Sequence, residues 1–106
     1  MKGKYIDGFL LVVPQDKTAE YKKMAALGKK VWMKHGALDY KECIGDDMHP
    51  EGMPGMNPRS FITAARAKDD EAVWFSFIVF KSRKHRDQVN AKVMKDPLMN
   101  DPEWQN

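Results

Sequence analysis

A single cysteine, Cys43, stands among 106 residues. No disulfide can form within the chain, so the expectation is a reducing, cytoplasmic setting. No apolar run approaches the roughly 20 residues needed to span a bilayer, so no membrane partner is expected. A secretory leader is not expected either. Asp7 interrupts the apolar segment behind Met1-Lys2-Gly3-Lys4, and no small-residue cleavage site follows. Internal repeats, low-complexity tracts and cofactor motifs are all missing, so no cofactor is expected.

What remains is an ordinary globular composition, 42% hydrophobic and 31% charged, in a chain long enough for one core. A single domain over residues 1–106 follows. Net charge is +3, from 18 Lys and Arg against 15 Asp and Glu, and it is unevenly spread. Basic residues concentrate in 16–35 and 81–96, acids in 39–51. Both basic segments read as amphipathic helices whose charges form solvated faces. Nucleic-acid binding through those faces is the alternative reading. It is not favoured, because no stacking aromatics or recognisable motif accompany the charge.

The order of elements is legible from periodicity. Residues 4–13, K-Y-I-D-G-F-L-L-V-V, are apolar and β-prone and are closed by Pro14, which predicts a buried strand. Asp16 is placed to cap a helix running to about Gly36, with Tyr21, Met24, Ala25, Val31 and Trp32 on its apolar stripe. Residues 37–46 alternate, so Leu38, Tyr40, Glu42 and Ile44 share one face and Asp39, Lys41 and Cys43 the other. Prolines and glycines make 48–58 a loop. Residues 60–67 read as a short strand. The run A-V-W-F-S-F-I-V-F, 72–80, predicts a strand apolar on both faces. Ser82 caps a second helix, with Arg86, Val89, Asn90 and Val93 on one stripe, which ends before Pro97.

Strand, helix, two or three strands, helix is the order of an α+β ferredoxin-like domain, an antiparallel sheet with two helices on one face. The first strand and the strand before the second helix would be its central pair. A last strand, expected after the second helix, has no counterpart beyond about residue 97. The apolar residues of 9–11 and 74–80 exceed what one helix-covered face can bury, and pairing with a second copy would cover the rest.

Five stretches together resemble the YbaA-like bacterial family of unknown function. They are Y-I-D-G-F near the start, W-M-K-H-G-A-L at 32–38, G-D-D at 45–47, V-W-F-S-F-I-V-F at 73–80, and S-R-K-H-R-D-Q-V-N-A-K-V-M-K-D-P at 82–97. The resemblance implies a dimeric α/β barrel, in which two ferredoxin-like units pack sheet to sheet. It brings no established reaction, and whether the chain is an enzyme stays open.

Candidate chemistry divides by residue type. Cys43 and His49 do not supply the four paired ligands of a structural zinc site. Asp46, Asp47 and Glu51 could offer oxygens to a hard cation but lack a loop motif. Met48, Met53, Met56 and His49 could hold Cu(I), although methionines more often fill gaps. Ser76 and Cys43 have no activating neighbours for nucleophilic catalysis, and His35 fits a helix end stabilised by the dipole. Two carboxylates stand out, Asp7 within an apolar strand and Glu42 on the Tyr40 face, because an unpaired buried carboxylate is costly. If Arg66 or Lys41 neutralises them, they are structural. If they face a cavity between two sheets, they bind a polar group or share a proton.

The expected function is therefore binding, with possible cofactor-free transformation, of a small, partly apolar molecule in an inter-sheet cavity. Tyr40, Trp74 and Phe77 would form its walls, Asp7 and Glu42 its polar contacts, and residues 46–58, with Asp46 and Asp47, a lid. Besides the nucleic-acid reading, the alternative is a purely structural dimerisation module.

Overall fold

Three strands and three α-helices emerge in the computed structural model, which describes residues 4–48, 55 and 59–100. They are β1 (Tyr5–Pro14), α1 (Thr18–Lys34), β2 (Asp39–Ile44), α2 (Phe61–Ala65), β3 (Glu71–Phe80) and α3 (Arg83–Met94). Short 3-10 turns, Gln15–Lys17 and Pro97–Asn100, precede α1 and follow α3. No helix among the described residues is long and apolar enough to cross a membrane.

The sheet is antiparallel with strand order β1-β3-β2. β3 takes the centre because it is the most continuously apolar strand. β1 pairs with β3 along its whole length as expected, and among the described residues it stands at the sheet edge. Cross-strand partners share a face, so the register sorts every side chain. Tyr5, Asp7, Phe9 and Leu11 lie with Phe80, Ile78, Ser76 and Trp74 on one face, joined from β2 by Tyr40, Glu42 and Ile44. Ile6, Leu10, Phe75, Phe77, Val79 and Cys43 lie on the other.

α1 and α3 cover the first face. Val31, Ala37, Tyr40, Ile78, Phe80, Val89 and Val93 form the buried core between them and the sheet, with Tyr5 and Trp32 at its margin. A side-chain hydrogen bond from Trp32 Nε1 to Asn90 Oδ1, 3.1 Å, ties the two helices. Arg86 and Asn90 flank Val89 and Val93 on the α3 stripe as the periodicity requires.

Local signals explain where the elements begin. The Ser82 hydroxyl accepts from His85 N–H at 3.1 Å and caps α3 as anticipated. Asp16 does not cap α1. The chain first makes a 3-10 turn, and the Thr18 hydroxyl donates to the Gln15 carbonyl at 2.8 Å. Gly36 ends the helix region with φ of 111°, a conformation that glycine adopts without steric cost.

Residues 60–67 are not a strand. Ser60 caps the five-residue α2 by accepting from Thr63 N–H at 3.1 Å, and Arg66 closes it in the left-handed region at φ 55°. α2 lies against the second sheet face, where Phe61 stacks on Phe75 with ring centroids 6.0 Å apart. The rest of that face is uncovered by any described element. Ile6 is 57% exposed, Leu10 40% and Phe75 38%.

Candidate functional site

Glu42 is the centre of the most developed polar cluster. Alternation along β2 turns it, like Tyr40 two residues earlier, toward the helices. The Tyr21 hydroxyl of α1 donates to its Oε2 at 2.8 Å, and the Tyr40 hydroxyl donates to its Oε1 at 2.9 Å. Burial, followed by these bonds to a carboxylate, pushes both phenols above the ordinary tyrosine range. They are therefore neutral donors throughout the physiological range, and Glu42 is held without a cation: no salt bridge reaches it from the described residues.

Trp74 completes the base of the cluster. It is 3% exposed, packs against the Tyr21 ring at 4.8 Å between centroids, and finds no hydrogen-bond acceptor for its indole N–H among the described residues. Beside it opens a cleft of about 390 Å³ between α1 and β2, lined by Lys22, Ala25, Ala26, Lys29, Glu42, Trp74 and neighbouring β2 residues. The cleft exists because α1 presents alanine at two successive positions, where longer side chains would meet β2.

The other sequence candidates go elsewhere. Asp7 faces the helices and accepts from Arg86 Nη1 at 2.8 Å. Its partner is neither Arg66 nor Lys41, and Arg86 also lies over the Tyr5 ring at 5.1 Å. The ion pair links α3 to β1. Glu42 and Asp7 are on the two outer strands with β3 between them, each with its own donors. Phe77 points to the uncovered face, opposite Trp74. The proposed inter-sheet walls therefore separate: Asp7, Tyr40, Glu42 and Trp74 lie between sheet and helices, and Phe77 lies on the bare face. Asp46 and Asp47 follow β2 and border a hollow of about 300 Å³ with Cys43, Met48, Phe61 and Phe75, at the end of the sheet.

Of the lid expected at 46–58, residues 49–54 and 56–58 lie outside the described residues, as do His49, Glu51, Met53 and Met56 of the metal combinations. Among the described residues, no three His, Cys, Asp or Glu side chains gather to hold a metal. His35 is at the end of α1, with Nε2 2.7 Å from Asp96 Oδ2.

Tyr21 is the residue that sequence reasoning missed. Periodicity places it on the apolar stripe of α1, which holds for its ring. Its hydroxyl was the available signal, since a buried tyrosine usually finds a partner for its O–H.

Fold and site together define an α+β domain, whose described residues form a three-stranded antiparallel sheet with a carboxylate-centred cleft under the first helix. The chain matches the family described as a protein of unknown function, DUF1428, over residues 4–105. It is 40% identical over 96 residues to the uncharacterized protein YbaA of Escherichia coli strain K12, an alignment covering 91% of this chain and 78% of that protein. The same figures hold for the YbaA proteins of Escherichia coli O157:H7 and Shigella flexneri. The chain belongs to this bacterial YbaA-like family.

Proposed function

We propose that the chain is a homodimeric binding protein for a small, partly apolar molecule, taken up by each copy in the cleft between α1 and β2. Glu42 carries this reading. A half-buried carboxylate held by two neutral phenols, on the wall of an open cleft, keeps an uncompensated charge at a cost that packing alone does not require. A cleft of this volume lies in the usual range for small-molecule sites, and Trp74 gives it an aromatic wall. In a thermal-shift screen of metabolites, a stabilising compound is expected. Ala25→Leu, which fills the α1 wall, should abolish the shift without unfolding the apo protein. A shift that persists in Ala25→Leu would place the binding elsewhere and remove this reading.

The dimer rests on the bare sheet face. Ile6, Leu10 and Phe75, with Phe61 of α2 47% exposed beside them, present an apolar surface of the kind that monomers seldom leave in water. A second copy of the same face covers it by two-fold symmetry. Cys43, exposed on that face and without a disulfide partner, suits a cytoplasmic setting for the assembly. Sedimentation equilibrium should find the wild type dimeric and Leu10→Asp monomeric with unchanged helix content. A wild type that stays monomeric at every accessible concentration would refute the dimer.

A further inference from the structure

We infer that the molecule this cleft takes is amphoteric, carrying an anionic group for Lys22 and Lys29 and a protonated amine for Glu42 on one short apolar body. The inference rests on the cleft reading above and adds the class of ligand. Its first support is the unused capacity of Glu42. A carboxylate offers about four lone-pair sites, and the two phenols occupy one on each oxygen. The phenols arrive from α1 and from β2 itself, while Glu42 also lines the open cleft. A cationic donor entering there completes the shell of a carboxylate that has no cation of its own, and charge-assisted bonds of this kind are the stronger ones.

The second support is the opposite charge at the α1 rim. Lys22 and Lys29 are seven residues apart, two turns of α1, so both project from the helix side that carries Ala25 and Ala26. Both line the cleft, and neither makes a salt bridge among the described residues. Lys41 differs in this respect, since its Nζ lies 3.6 Å from Asp39. The cleft thus holds a carboxylate at its sheet wall and two unpaired ammonium groups at its helix wall. Ala25, Ala26, Ile44 and Trp74 supply the apolar ground between them. A purely anionic ligand would meet Glu42 and be repelled; a purely cationic one would meet the two lysines. A zwitterion satisfies both walls.

Three probes of matched shape test this by calorimetric titration: L-phenylalanine, 3-phenylpropionate, which lacks the amine, and phenethylamine, which lacks the carboxylate. Phenylalanine is expected to bind at least about tenfold more tightly than either analogue, as loss of one charged hydrogen bond implies. Glu42→Gln should erase its advantage over 3-phenylpropionate. The double variant Lys22→Gln/Lys29→Gln, altered only at exposed positions, should erase its advantage over phenethylamine. Equal affinity for phenylalanine and one analogue, abolished by Ala25→Leu, overturns the amphoteric inference and leaves the cleft as a binding site. Binding that survives Ala25→Leu overturns both. No binding of any probe also overturns the inference, while the metabolite screen continues to test the cleft by itself.

Discussion

Phe80→Ala is expected to cost about 3–5 kcal/mol, the usual loss when a buried aromatic is truncated in a packed core. Phe80 ends β3 at the point where sheet, α1 and α3 meet, and none of its surface reaches solvent. Tyr5 is its cross-strand partner and His85 meets its ring edge-on at 6.0 Å. These neighbours come from β1 and α3, elements already fixed by their own hydrogen bonds, so they cannot collapse into the space left behind. Domains of this size are stable by only about 5–15 kcal/mol, so the variant would lose a large share of the total. Urea unfolding should show a lowered midpoint with little change in slope. Ile6→Ala, compared in the Leu10→Asp monomer so that no partner covers the bare face, removes a side chain that is 57% exposed; it is the matched control and should cost far less. A Phe80→Ala loss below about 1 kcal/mol would contradict a core centred on this residue.

The contrast between Phe80 and Ile6 also marks what periodicity could and could not reveal. The unbroken run at 72–80 announces a strand apolar on both sides, and β3 is that strand. Ser82 followed by a 3.6-residue stripe announces α3. Such signals are local, and both elements form where the signals place them. The position of β1 is decided by pairing between distant segments, to which its own residues offer no clue, and it falls at an edge among the described residues. Phe61-Ile62-Thr63-Ala64-Ala65 is too short for its apolar pattern to distinguish strand from helix. Two details settle it, the Ser60 cap and the left-handed Arg66, and both depend on the chain's path around α2.

The same division runs through the site. Alternation correctly put Tyr40 and Glu42 on one face and Cys43 on the other. It could not say which face the helices cover, because both faces of β3 are apolar. Periodicity alone therefore suggests a cavity between two sheets, whereas Glu42, Tyr40 and Trp74 lie under α1. Asp7 raised the same question as Glu42 from sequence, a carboxylate in an apolar strand. The structure answers it differently in the two cases: Arg86 neutralises one, and two phenols hold the other. Only three-dimensional placement separates an ion pair from a carboxylate with capacity to spare.

Asp96 leads to the second large effect, one visible in pH. Its side chain is 1% exposed, just after α3, and it collects donors from the end of α1 and from the turn that follows α3. The Leu98 N–H donates to Oδ1 at 2.9 Å, while His35 Nε2 and Lys34 Nζ lie 2.7 and 3.2 Å from Oδ2. The backbone bond from Leu98, then the contacts with His35 and Lys34, hold the carboxyl down at about 2 against an ordinary 3.8, outweighing the opposite effect of burial. A carboxyl whose folded value is depressed stabilises the fold fully above its unfolded value, and that contribution disappears as pH falls through the folded one. Wild-type stability should thus fall between about pH 4 and pH 2, the window set by those two values. Asp96→Asn removes the titrating group and loosens the joint between the ends of α1 and α3. The variant should be clearly less stable than wild type at neutral pH, and the two urea-unfolding energies should converge as pH drops through that window. A gap of constant size from pH 4 to pH 2 would mean that Asp96 is not the group whose ionisation locks the two helices together.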